Sequence, residues 1–218
     1  MNGYIDIYCE RLGPGIAAEP LNAATNIAFF IAAFFAYYIA KRRNALNLGS
    51  AALIFLLCAI GAGSTLFHTL ATKTAQLSDV LPILLYQVCF IVLYASNVMR
   101  LNPLKTAFLF IAFMGMSAVF ERVPSEILNG SSGYIPALMF LTGFGMWHAR
   151  HIKQESKILL YAAMIFVLSL TFRTVDMALC PSLPIGTHFM WHLLNGLVLY
   201  LTARAYILNQ DKTAKNLA

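Results

Sequence analysis

The chain reads as an all-α integral membrane protein of seven transmembrane helices, with the N-terminus outside and the C-terminus cytoplasmic. Three observations predict this. Of 218 residues, 60% are hydrophobic and only 11% charged, against about 45–50% and about 25% in a soluble domain; the mean hydropathy is +0.71. Seven apolar runs follow one another, most of them near the roughly 20 residues that a helix needs to cross the hydrocarbon core. Lys and Arg collect in alternate loops. One transmembrane domain over 1–218 is expected, with no room between the runs for a soluble one.

Residues 1–21 form an amphipathic outer segment with Asp6, Glu10, Arg11 and Glu19. They lack the basic start and short apolar core of a signal peptide. The first span covers 22–40 and stops at KRRN. The second covers 48–70, and the third 79–98, ending at MRLNP. The fourth covers 104–120, before the turn-rich ERVPSEILNGSSG. The fifth, 134–148, is short and interrupted by Gly143 and Gly145. The sixth covers 158–175 and the seventh 187–208, with a cytoplasmic tail at 209–218. There is no internal repeat.

The loops after spans one, three and five and the C-terminal end carry eleven Lys and Arg, whereas the opposite side carries three, Arg11, Lys73 and Arg122. The positive-inside rule places the richer side in the cytoplasm. The net charge of +6 is therefore a topology signal, and no nucleic-acid partner is expected. A bacterial inner membrane is the expected setting, since the loops are short and no ectodomain is present. NGSS at 129–132 fits a glycosylation acceptor, a pattern common by chance.

This orientation gathers Ser64, His68, Asp79, His188 and His192 toward the periplasmic side. Ser64 and His68 are four apart and share a helix face, as do His188 and His192. Three imidazoles suit zinc, which in catalytic sites takes three protein ligands and leaves a place for water. Bound zinc lowers the pKa of its water toward about 7, Asp79 fits the general base, and Ser64 fits a donor to a developing oxyanion. Each residue alone has a plainer reading. A membrane histidine can simply bond between helices, Trp191 can be an interfacial aromatic, Ser64 a small packing residue, and Asp79 a helix N-cap. His148 and His151 read as interfacial, at the opposite end. Cys58 and Cys89 lie inside apolar runs and read as packing residues.

The motifs GSTLFHTL with QLSDVLP, RTVDMALC and LPIGTHFMWHLLNGLVLYL, with AEPLNAATN near the start, resemble the alkaline ceramidases. These belong to a wider group of seven-helix membrane hydrolases with the adiponectin receptors and Per1-type proteins. The resemblance covers nearly the whole chain. It implies that His68, His188 and His192 bind zinc and that Asp79 and Ser64 assist the water and the oxyanion. It also implies that Cys9 pairs with Cys180, where two free thiols are the alternative. The family's calcium site is matched poorly. Glu10 and Glu19 are kept, but Tyr8 replaces a tryptophan, Ile7 and Leu12 stand where oxygen ligands belong, and the segment is two residues shorter. Calcium needs six to eight oxygens, so weak or absent Ca2+ binding is expected, with Glu19 free to bond Asn22, Asn26 or Arg173.

The resulting expectation is Zn2+-dependent hydrolysis of a ceramide-like amide with a long acyl chain held among the helices. An ester lipase or acyltransferase on a phospholipid, and a lipid-binding receptor with structural zinc, are the alternatives.

Overall fold

The computed structural model describes residues 4–210. Among them the chain is helical with no strand: α1 (Pro20–Thr25), α2 (Ile27–Arg42), α3 (Leu48–Leu70), α4 (Lys73–Asn97), α5 (Pro103–Phe120), a short 3-10 helix (Ile127–Tyr134), α6 (Ile135–Arg150), α7 (Ile158–Leu179) and α8 (His188–Asn209). Most of the tail expected at 209–218 lies outside the described residues. Five segments are long and apolar enough to cross a membrane: Pro20–Arg42, Leu48–Leu70, Lys73–Asn97, Pro103–Phe120 and Ile158–Leu179. The two other expected spans fall short of that measure. α6 has only 16 residues, and α8 carries His188, His192, Asn195 and Arg204 along an otherwise apolar helix.

The outer faces of the bundle are apolar. Phe34, Phe55, Phe108 and Met164 are more than 60% exposed, a surface that water would penalise and lipid accepts. These helices make an integral membrane protein.

The helix ends follow local chemistry. Asn47 accepts from the Ser50 amide while the Ser50 hydroxyl accepts from the Asn47 amide, a capping box that starts α3. Asn102 caps α5 with Pro103 in its first turn. The first span is not one helix: it breaks at Asn26, which ends α1 and begins α2. α4 begins six residues before the expected start of the third span. Thr72 is its cap and accepts from the Ala75 amide at 3.2 Å. Asp79 therefore sits in the second turn of α4, which removes the N-cap reading.

α3 packs most extensively against α4, and α7 against α8, while α2 lies against both α8 and α3. One contact sets the geometry of the α3–α4 pair. Pro82 has no N–H to bond the Ser78 carbonyl one turn back, and that carbonyl lies against Gly63. A Cβ at Gly63 would overlap the Ser78 oxygen. Glycine thus lets the two backbones touch, one residue away from both Ser64 and Asp79.

The N-terminal segment is folded onto this same end. Cys9 and Cys180 form a disulfide, and the Ile5 amide donates to the Ala71 carbonyl at 2.7 Å. At the opposite end His148 is buried rather than interfacial. The Tyr94 hydroxyl meets its Nδ1, and its Nε2 lies 3.0 Å from the Gln154 carbonyl. Packing of Tyr94 against α6 draws the ring inward. Trp191 is likewise buried, at 4% exposure, in the core rather than at an interface.

Candidate metal centre

The C-terminal end of α3 and the N-terminal end of α8 bring His68, His188 and His192 together, with one ligand atom from each lying within 4.8 Å of the others. All three rings are buried. His68 Nε2, His188 Nδ1 and His192 Nε2 are buried nitrogens with no hydrogen-bond partner among the described residues. Orphaned polar atoms at this depth are costly, and three of them facing one another are what a single cation would satisfy. The donor set fits a metal ion.

The remaining nitrogens are held from behind. His68 Nδ1 lies 2.5 Å from Glu19 Oε2, and His192 Nδ1 lies 3.0 Å from the Thr25 hydroxyl. Such contacts fix ring orientation and tautomer in metal sites. The His188 ring is stacked on Tyr8, with centroids 3.7 Å apart. Its backbone amide donates to Asp176 Oδ1 at 2.9 Å, and the Thr187 amide donates to the same oxygen at 2.6 Å. A fully buried carboxylate thus caps α8 where the helix dipole favours a negative charge. Its other oxygen accepts from the Cys9 amide at 3.0 Å. Gly186 makes the turn with φ +64, and a Cβ there would overlap Asp176 and Cys9.

Glu10 and Glu19 are engaged by the protein itself. The two oxygens of Glu10 accept from the Leu21 and Asn22 amides at 2.7 and 2.8 Å, capping α1. Glu19 accepts from Arg11 Nε at 2.5 Å and from Asn22 Nδ2 at 3.0 Å, besides facing His68. Of the three partners expected for Glu19, Asn22 is the one found, and Arg11 and His68 take the places of Asn26 and Arg173. Arg11 also donates to the His68 carbonyl at 2.9 Å, satisfying the last turn of α3. Burial alone would raise the pKa of Glu19. Its bonds from His68, Asn22 and Arg11 outweigh this and hold the carboxyl below its usual range. Burial pushes the Tyr8 phenol up, so it stays neutral.

Glu19→Gln is therefore expected to act twice. It removes one partner of a buried ion pair, which costs about 3–5 kcal/mol, and it loosens His68, which weakens metal affinity about 10- to 100-fold. Thermal unfolding and chelator competition read the two effects separately. Wild-type values for both would contradict this account of Glu19.

Asp79 and Ser64 are buried beside the histidines. The Ser64 hydroxyl faces the Asp79 carboxylate, and Asp79 feels the charges of His68 and Arg173. Asp79, Tyr8, Arg173, His188 and His192 line one pocket. Arg173 is anchored by donating from Nη1 to the Asn129 carbonyl at 2.7 Å and to Ser131 Oγ at 2.9 Å, and it lies over the Tyr134 ring. A second, apolar cavity between α4, α6, α7 and α8 adjoins the first: Ile83 and Tyr134 line both.

A family model described as Ceramidase matches residues 14–216. The chain belongs to the ceramidase family. That membership implies hydrolysis of a ceramide amide and a lipid substrate. No curated protein gives a significant match.

Some residues of this ceramidase-family site carried no role in the sequence reading. Tyr8 stands in the sequence reading only as a substitution in a calcium motif, Asp176 only within RTVDMALC, and Arg11 only as a charge of the outer side. RTVDMALC and its neighbouring Gly186 hold a signal for Asp176, a lone acid twelve residues before the first histidine of an HxxxH helix. Nothing local marks Tyr8 or Arg11, since each acts through the fold of the N-terminal segment.

Proposed function

We propose that this ceramidase-family member is a zinc-dependent amidohydrolase that cleaves a ceramide-like N-acyl lipid into a fatty acid and an amine. One observation carries the reading: three partnerless, buried imidazole nitrogens converge, two of their rings line a pocket with the Asp79 carboxylate, and that pocket adjoins an apolar cavity. His68 and His192 would supply Nε2 and His188 Nδ1. Three nitrogen donors with a place left over suit zinc in a hydrolytic site. Zinc, when bound there, would polarise the amide carbonyl and lower the pKa of a water toward about 7.

The chain's own residues do the rest. Asp79 takes a proton from the attacking water and returns it to the departing nitrogen as the C–N bond breaks. Ser64 donates its one proton to the Asp79 carboxylate; once Asp79 carries the water's proton, the Ser64 hydroxyl is free to donate to the oxyanion. Glu19 and Thr25 keep two histidine rings in the tautomer that leaves Nε2 unprotonated. The acyl chain lies in the cavity below, whose apolar walls with few polar groups are usual for such ligands.

The same reading takes α1 and α2 together as one span and α3 to α8 as six more, the seven spans of one domain, 1–218. α8 turns its histidines, Asn195 and Thr202 inward and leaves Leu193 and Leu197 half-exposed, which suits a helix inside a membrane despite its polar residues. The outer N-terminus, the cytoplasmic C-terminus and a periplasmic site in a bacterial inner membrane rest on the eleven-to-three bias of Lys and Arg. The Cys9–Cys180 disulfide at the site's end supports an oxidising side. Calcium has no part in this proposal, because the carboxylates of Glu10 and Glu19 already serve protein donors. A calcium-dependent rise in melting temperature would contradict that.

The test is a hydrolysis screen of the purified protein with labelled ceramide, an N-acyl amino acid and a phospholipid. Fatty acid is expected from an N-acylated lipid. Release from the phospholipid alone would replace the amidase with an ester lipase, and release from none would favour a receptor with structural zinc.

A further inference from the structure

The apolar cavity has two breaks in its lining, the carboxamides of Gln87 and Asn195. Neither has a hydrogen-bond partner among the described residues. Tyr134 also lines the pocket beside the histidines, and the remaining two polar side chains on that wall, Tyr86 and Thr202, serve each other. The Tyr86 hydroxyl donates to the Leu199 carbonyl at 2.8 Å and lies 2.9 Å from the Thr202 hydroxyl. Asn195 is only 4% exposed. A carboxamide at that depth is costly without a partner, whereas leucine would line a purely hydrocarbon cavity at no such cost.

The placement of Asn195 narrows what its partner is. It lies three residues after His192 on α8, one helical turn along the same face, a rise of about 4.5 Å. An acyl carbonyl held at the three imidazoles sends its first few carbons past this turn. Gln87 comes eight residues after Asp79 on α4, about 12 Å further along, so a group close to the carbonyl meets Asn195 first.

We infer that Asn195 is a specificity-determining residue for an acyl chain hydroxylated on its second or third carbon, so that the substrate is an N-(hydroxyacyl) lipid. This rests on the amidase reading above and adds to it the chemistry of the chain. The hydroxyl donates to the Asn195 carbonyl oxygen and accepts from its NH2, both of which are otherwise unused. A plain chain leaves them unpaired.

The experiment compares kcat/KM for N-hexadecanoyl, N-(2-hydroxyhexadecanoyl) and N-(3-hydroxyhexadecanoyl) amides of the same long-chain amine, each made with and without a hydroxyl next to the amine carbon. A hydroxylated acyl chain is expected to be preferred about tenfold or more, and the ratio to fall to about 1 in Asn195→Leu. The ratio, not either rate, is the readout. No acyl-hydroxyl preference in the wild type, an unchanged ratio in the variant, or a preference that follows the amine-side hydroxyl instead would overturn the inference. A second measurement does not depend on turnover: the rise in melting temperature given by 2- or 3-hydroxyhexadecanoic acid against hexadecanoic acid, in the wild type and in Asn195→Leu. A larger rise with either hydroxy acid is expected, and equal rises would overturn the inference. Hydrolysis of none of the amides would defeat the amidase reading, while the fatty-acid comparison, repeated in Asn195→Leu, would still decide the role of Asn195: the extra rise given by the hydroxy acid is expected to disappear in the variant, and its persistence would overturn the inference.

Discussion

Replacing His192 with alanine is expected to abolish metal content and ceramide hydrolysis together. His192 supplies one of the three partnerless nitrogens, and its ring stands at 4.7 Å between centroids from both His68 and His188. Two imidazoles on separate helices hold a divalent ion poorly, since catalytic zinc sites use three protein ligands. The fold should survive the change. The His192 side chain bonds the Thr25 hydroxyl, and the end of α8 that it occupies is fastened independently by Asp176 and by the Cys9–Cys180 disulfide. Removing a buried ring costs about 3–5 kcal/mol in a packed core, so thermal unfolding should accompany the activity measurement. A variant that folds, binds no metal and still turns over would remove His192 from the chemistry.

Asp79→Asn is expected to give the opposite combination, full metal content with turnover reduced about 10²- to 10⁴-fold, the usual contribution of a positioned acid–base group. The substitution keeps shape and leaves the three imidazoles untouched. In the proposed mechanism it removes the charge that accepts the water's proton and leaves an amide that cannot. The carboxylate's position depends on the contact between Gly63 and the Ser78 carbonyl, which sets α4 against α3, and on Ser64 facing it. Stability should change little, because asparagine can still bond Ser64. The measurement pairs metal analysis with kcat on labelled ceramide. Near-wild-type kcat would assign the proton to another group.

Much of this arrangement could be read from residue order. Apolar runs located every long helix and, apart from the start of α4, set its ends to within about five residues, because lipid imposes length and apolar character on each span. The three histidines could be grouped because spacing by four puts residues on one helix face and the charge bias puts helix ends on one side. The start of α4 was missed because Thr72 and the polar first turn KTAQLS look like loop until Thr72 is seen to cap it. The break at Asn26 has no marker in LNAATNIAFF. His148 looked interfacial because its burial depends on Tyr94, which is distant in sequence. Glu19 was matched to Asn22 by proximity, but its bonds to Arg11 and His68 require the N-terminal segment to fold over the end of α3. That fold is set by Asp176, Gly186 and the disulfide, which are over 150 residues away in the chain.

The most direct test of the central claim is divalent metal per chain, measured on the same purified sample as its ceramide turnover, before and after chelation and zinc return. One ion per chain is expected, with turnover lost on chelation and regained on adding zinc. Full turnover by protein stripped of metal would contradict the account.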